Sequence, residues 1–196
     1  MNDYSQPDFY RFNEDSLRLV KFIKEKGIVV TSILDLGAGC GVIGIEIANH
    51  QKPEVLTLVE YQKEYFSHLQ LNREHQLKVL LDCEIIQASF GEWKPDRKYE
   101  LVVCNPPYYL PGHGQPNKDR RRELARSFVK DNWAILLNCI ESALEPGGRA
   151  FMVIKNDLLI LKEVIKNSGV LIVSYVPDRD LIFLEITLPQ EASGIG

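Results

Sequence analysis

The feature that most constrains this chain is the alternation of continuously apolar runs with amphipathic ones. "TSILDLG", "VLTLVEY", "CEIIQAS", "YELVVCN" and "RAFMVIK" read as strands, and "GVIGIEIANH", "QKEYFSHLQLNREHQL" and "DLLILKEVIKNSG" as helices between or after them. Strands that are apolar at successive positions are buried on both faces. That pattern belongs to a mostly parallel sheet covered by helices on both sides. Only "FGEWKPDRK" separates the third strand from the fourth, too polar and too short for a crossover helix. At the end, "VLIVSYVPD" and "LIFLEITLP" lie so close together that they should pair antiparallel. The expected fold is therefore α/β, a doubly wound seven-stranded sheet with an antiparallel C-terminal hairpin.

Two further helices can be read. In "EDSLRLVKFIKEKG", Asp15 or Ser16 can cap, Leu19, Val20 and Ile23 share a face, and Gly27 can close the helix. In "FVKDNWAILLNCIESALEPGG", Val129, Trp133, Leu136 or Leu137, Ile140 and Leu144 form one stripe, stopped by Pro146 and Gly147. At 196 residues and 45% hydrophobic content the chain can fill one sizeable core but hardly two, so one domain is expected over 1–196. Within it, 1–30 forms an N-terminal helical extension, 109–127 a substrate loop and 191–196 a loose tail.

No apolar run approaches the roughly 20 residues of a membrane helix, and the opening "MNDYSQPDF" lacks a signal core. A cytoplasmic, soluble protein without membrane contact is the expectation. Cys40, Cys83, Cys104 and Cys139 are widely spaced without a C-x-x-C pair, which speaks for reduced thiols and against a zinc site or disulfide framework. His50, His68 and His75 read as ordinary solvated residues, His113 is undecided, and Trp93 and Trp133 read as packing. A net charge of −4 argues against a protein that coats nucleic acid indiscriminately. The charge is nevertheless uneven. "KDRRRELARSFVK" carries six Lys or Arg against two acids, either a solvated helical face or a phosphate grip.

"ILDLGAGCGVIG" marks a site. A buried strand feeds Gly37, Ala38, Gly39 and Gly41, then a helix, and a backbone without side chains lets a ligand approach closely. In open α/β sheets ligands bind at the carboxyl ends of strands where the order reverses. Glu60, about twenty residues on, ends the second strand where it can accept ribose hydroxyls, with Tyr61 beside it. Gly39, Gly41 and Gly44 also match the nicotinamide pattern G-x-G-x-x-G. Asp35, however, stands at the strand exit, where a carboxylate repels a pyrophosphate and suits a cofactor carrying an ammonium and a sulfonium. The resulting D-x-G-x-G-x-G resembles motif I of class I S-adenosylmethionine-dependent methyltransferases, whose acid lies near the methionine end of the cofactor. The resemblance implies their Rossmann-like fold.

The fourth strand ends in Asn105, Pro106, Pro107 and Tyr108. This N-P-P-Y resembles motif IV of amino-methyltransferases acting on planar, conjugated nitrogens. Such a nitrogen has a delocalised lone pair and is a poor nucleophile. The Asn105 side-chain carbonyl and the Pro106 backbone carbonyl can hold its two N–H groups and turn the lone pair toward the methyl. Prolines hold these acceptors in place, and Tyr108 offers a stacking face. No general base is required, because the proton can leave after the amine has become cationic.

Over nearly its whole length the chain resembles the bacterial tRNA(Val) adenine-N6 methyltransferases, in which N-P-P-Y-Y precedes a glycine-containing loop and R-x-x-A-R. Here Tyr109, Gly112, Gly114 and "RELAR" follow. The resemblance implies tRNA as substrate, with Tyr108, Tyr109, Arg120, Arg121, Arg122 and Arg126 on the substrate side, Tyr109 being equally plausible as core packing. No obligate protein partner is inferred. The family's upstream Gly-Thr-Asp becomes Asn13-Glu14-Asp15, and "QASF" stands where relatives present an acid to the cofactor adenine. Ser89 could accept that hydrogen bond, or Phe90 could pack on the ring. The alternatives are a protein glutamine N5-methyltransferase, another rRNA or DNA amino-methyltransferase, a non-catalytic RNA-binding protein and a nicotinamide oxidoreductase.

Overall fold

The computed structural model describes residues 3–9, 11–107, 119–125, 128, 130–169 and 171–189. Seven strands form one sheet: β1 (Ser32–Leu36), β2 (Val55–Glu60), β3 (Asp82–Gln87), β4 (Tyr99–Cys104), β5 (Leu144–Lys155), β6 (Ile172–Asp178) and β7 (Leu181–Thr187). Their order is β3-β2-β1-β4-β5-β7-β6. The first five pair in parallel, and β7 runs antiparallel to both β5 and β6, as the apolar runs and the short final turn require. The order reverses between β1 and β4, whose register aligns Leu36 with Cys104. Gly37 and Asn105 therefore leave the sheet side by side.

Helices α1 (Glu14–Glu25), α2 (Val42–Gln51) and α3 (Phe66–Gln76) cover one face, with Leu19, Ile23, Ile45, Ile47 and Leu69 buried on Ile33, Leu101 and Val103. Across the sheet, α5 (Trp133–Ala143) and α6 (Leu158–Lys166) bury Leu136, Ile140, Leu161 and Val164 on Leu34, Val102 and Met152. A short α4 (Arg120–Leu124) follows β4. The alternation is physical: successive strand residues point to opposite faces, and both faces are apolar because both are covered. Trp93 and Trp133 are core residues, and the stretch from β3 to β4 crosses without a helix, packing Trp93 on Tyr99. Among the described residues no helix is long and apolar enough to cross a membrane.

Two helix ends differ from expectation. Neither Asp15 nor Ser16 caps α1; both lie in its first turn and are buried, because long-range partners take their side chains. Helix α5 starts at Trp133, capped by Asn132, whose Oδ1 accepts the Ile135 N–H at 2.9 Å, and ends at Ala143, before Pro146. Leu144 pairs with Tyr99 and Arg149 with Leu101, so the strand ladder captures the chain early and residues 145–148 bulge out. Val129 and the tail 190–196 lie outside the described residues.

Candidate active site

The loop after β1 is built from backbone bonds that its side-chain-poor sequence leaves accessible. The N–H groups of Gly37 and Ala38 donate to the Val59 carbonyl at 2.9 and 3.0 Å, tying the loop to β2. Gly41 starts α2 at φ +83°, a left-handed conformation, and a Cβ there would meet Leu69 at 2.9 Å. Gly44 serves packing instead: a Cβ would lie 2.8 Å from Leu58 and 3.0 Å from Asp35 Oδ2. That close approach seats α2 on β1 and β2.

The loop, the ends of β2, β3 and β4 and the N-terminal segment enclose a cavity of about 600 Å³. Of the residues singled out in the sequence, Gly37, Ala38, Gly39, Glu60, Tyr61, Ser89, Phe90, Asn105, Pro106, Pro107 and Arg122 line it. Asp35 and Gly41 do not. Asp35 lies behind the loop, fully buried, its Oδ2 accepting the Gly44 N–H at 2.8 Å. Helix α2 folds over the strand exit and covers Asp35, which stands behind the loop rather than on the cavity wall. Its Oδ1 has no hydrogen-bond partner among the described residues. Burial pushes its carboxyl up to about 7, opposed by the Gly44 N–H and reinforced by Glu60.

Glu60 is also buried, and burial raises its pKa, opposed by the N–H groups of Gln62, Gly39 and Tyr61. Its Oε2 accepts from Gly39 at 2.8 Å and its Oε1 from Gln62 at 2.7 Å, so it ties the glycine loop as well as facing the cavity. Two carboxylates whose ionised forms are disfavoured by desolvation gain from an incoming cation. A glycine cradle above them, with Asp35 Oδ1 unsatisfied, fits a compact cationic cofactor better than a pyrophosphate.

At the end of β3 the two readings separate. Ser89 is buried and its Oγ donates to Glu92 Oε2 at 3.0 Å, while its carbonyl accepts from Glu92 and Trp93. The seryl hydroxyl closes a turn by donating to Glu92, and its oxygen keeps the lone pairs with which it could accept from a ligand amine. Phe90 is the residue turned to the loop, 3.4 Å from the Cβ that Gly37 would carry.

The Asn105 Nδ2 donates to Ser16 Oγ at 3.0 Å across 89 positions of sequence. That bond turns the amide nitrogen toward α1 and sets the plane in which Oδ1 lies. Beside it Asp15 accepts from Lys155 Nζ at 2.9 Å and from Asn13 Nδ2 at 2.8 Å, joining α1 to the end of β5. Tyr108, Tyr109, His113 and Arg126 lie outside the described residues. Arg120, Arg121 and Arg122 are exposed on α4. Arg121 is engaged by Asp119, Nη2 to Oδ2 at 2.8 Å, and lies 4.9 Å from the Phe9 ring centre. The pair is exposed, so Arg121 shares its charge with a neighbouring carboxylate at the surface.

Several supporting residues lie outside the motifs. Asn72, in a helix that looks solvated, is buried: it donates to the carbonyls of Ser5 at 2.9 Å and Cys40 at 2.8 Å and accepts from the Ser5 N–H. Ser5 Oγ lies 2.8 Å from His68 Nδ1, so that histidine is an anchor rather than a solvated residue. Gln62, with its amide oriented to satisfy both ends, donates to the Arg121 carbonyl at 3.0 Å and accepts from Ala125 at 3.1 Å, docking α4 on the cavity rim. No local signal marks these residues, since each partner is distant in sequence.

Comparison with known proteins adds to this geometry. The family model of the methyltransferase small domain matches residues 11–171. A tRNA1(Val) (adenine(37)-N6)-methyltransferase of Glaesserella parasuis serovar 5 is 30% identical over 125 residues, 64% of this chain and 52% of the relative. Its counterpart in Klebsiella pneumoniae (strain 342) is 30% identical over 134 residues, 66% of this chain and 53% of the relative. The chain thus spans about half the length of these curated relatives. The ribosomal protein L11 methylase of Lactobacillus delbrueckii subsp. bulgaricus superposes with a TM-score of 0.66 at 16% identity, covering 91% of this chain and 81% of that one. A T. thermophilus 16S rRNA methyltransferase gives 0.66 at 19% identity, covering 91% and 44%. Both structures share the fold.

Proposed function

The chain belongs to the methyltransferase small domain family, and from that premise we propose that it carries the methyl group of S-adenosylmethionine to the exocyclic N6 amine of an adenine in tRNA. One observation carries the reading: Asn105, Pro106 and Pro107 leave β4 beside the glycine loop that leaves β1, on the wall of one cavity. S-adenosylmethionine supplies an electrophilic methyl on a sulfonium. Gly37 to Gly39 would cradle it, Glu60 would accept its ribose hydroxyls, and Asp35, from behind the loop, would favour its positive charge.

Asn105 Oδ1 and the Pro106 carbonyl would accept the two N–H groups of the target amine, aligning its lone pair with the methyl. Ser16, holding the amide nitrogen, keeps the acceptor end of Asn105 in register. The proton leaves after transfer, so the absence of a histidine from the described cavity wall is no obstacle. Tyr108, outside the described residues, is the proposed stacking face for a base turned out of its helix, a step costing about a few kcal/mol. Arg120 and Arg122 would meet phosphates. The tRNA named for the relatives supports the substrate class.

The test is incubation with labelled S-adenosylmethionine and unmodified bacterial tRNA, followed by nucleoside analysis. N6-methyladenosine is expected. Methylation of a release-factor glutamine with none on tRNA overturns the substrate and retains the Asn105 chemistry.

A further inference from the structure

Helix α3 carries a polar stripe that holds a segment from the start of the chain. His68, Asn72 and Gln76 recur every four residues and so share one face, with Tyr65 just before the helix. All four meet residues 3–9. Gln76 Nε2 donates to the Asp3 carbonyl at 3.1 Å, Asn72 pairs with the N–H and the carbonyl of Ser5, and His68 Nδ1 lies 2.8 Å from Ser5 Oγ. The Tyr65 ring meets Phe9 edge to face, 5.5 Å between ring centres. The segment thus runs antiparallel along α3 and ends at the cavity, where Asp8 and Phe9 form part of the wall.

Asn72 does more than hold the segment. Its Nδ2 also donates to the Cys40 carbonyl at 2.8 Å, inside the glycine loop, and the side chain is only 2% exposed. Both amide hydrogens are given to carbonyls and the amide oxygen takes the Ser5 N–H, so one buried amide bridges two walls of the cavity. Neither wall can shift without stranding a polar group away from water. Asn72 itself is not on the cavity wall, so whatever it does to a ligand passes through Ser5 and Cys40. We propose that Asn72 is a positioning residue that locks segment 3–9 to the glycine loop, so that both walls hold the cofactor together and its release is slow. The inference rests on the reading that S-adenosylmethionine and its product occupy this cavity.

Two measurements on the full chain test it: limited trypsin cleavage after the exposed Arg11 reports the segment, and stopped-flow displacement reports release of S-adenosylhomocysteine. In the wild-type protein the ligand should slow cleavage by about tenfold or more, because coupling between two sites is reciprocal. Asn72→Asp, nearly the same size but unable to donate to either carbonyl, should speed release by about tenfold and lose the protection with it. Ser5→Pro, outside the sheet, removes the N–H that Asn72 accepts and should act in the same direction, which keeps the test decisive if the Asn72 variant does not fold. His68→Ala loosens the segment without touching the loop, so cleavage should quicken while release stays near the wild-type rate. A lower urea midpoint in Asn72→Asp with release and protection unchanged overturns the inference and leaves Asn72 a residue of the fold alone. Binding without protection in the wild-type protein overturns it as well. Absence of any binding overturns the cofactor reading and the inference together, and calorimetry on the wild-type protein tells that case from the others.

Discussion

The two halves of the cavity are built in opposite ways. The half proposed for the cofactor is local and redundant: within 35–62, backbone groups of the glycine loop are held by Val59 and Glu60, and Asp35 holds the start of α2. The half proposed for the substrate is assembled from afar, Asn105 by Ser16, Asp15 by Lys155 and α4 by Gln62. A phosphate- or sulfonium-sized feature can be met by one loop, because the groups that touch it are neighbours on the chain. Presenting two acceptors to a reacting amine requires several strands to agree, so its parts come from separate segments.

The comparison can be broken first at Asn105. Asn105→Ala should lower methyl transfer by about 10² or more while calorimetry finds cofactor affinity nearly unchanged, since one positioning acceptor is removed from the reacting nitrogen. Parallel loss of both would merge the halves. On the cofactor side, Gly44→Ala should cost about 1–3 kcal/mol in urea unfolding, because its Cβ enters the space of Leu58 and Asp35. Wild-type stability would show that α2 can slide.

Acidity sharpens the same contrast. The folded-state pKa of Asp35, about 7, exceeds its ordinary value of 3.8, so the folded protein binds that proton more tightly. Its contribution is fully present below about pH 4 and lost as pH rises through about 7. Without ligand, urea midpoints should fall over that window, and Asp35→Asn should flatten the fall only in part, since Glu60 shifts in the same direction. Cofactor affinity should climb with pH across the window, a cation favouring the ionised acid. An affinity independent of pH would detach Asp35 from the sulfonium.

Smaller effects belong to the supports. Ser16→Ala should reduce kcat several-fold with cofactor affinity unchanged, the loss of about 0.5–1.5 kcal/mol for one hydrogen bond. Replacing Arg120 and Arg122 by Gln should lower the log–log salt slope of tRNA binding by about 0.7 to 0.9 for each phosphate no longer neutralised. Arg121→Gln should change it less, because Asp119 already holds that guanidinium. Equal slopes for all three would return α4 to the status of a solvated face.

Much of this architecture was written in the sequence by itself. Runs apolar at every position could only be strands covered on both faces, "GAGCG" could only be a turn, and N-P-P at a strand exit placed two acceptors at its end. Each of these rests on neighbours in the chain, where covalent geometry and side-chain period decide the outcome. Tertiary structure decided the rest. Asp35 stands at a strand exit but lies behind the loop because α2 covers it, and Asp15 and Ser16 read as caps until Lys155 and Asn105 claim them. Asn72 carries no local mark at all. A polar side chain takes whichever partner the fold brings within about 3 Å, and that partner is chosen by strand order and helix packing rather than by proximity in sequence.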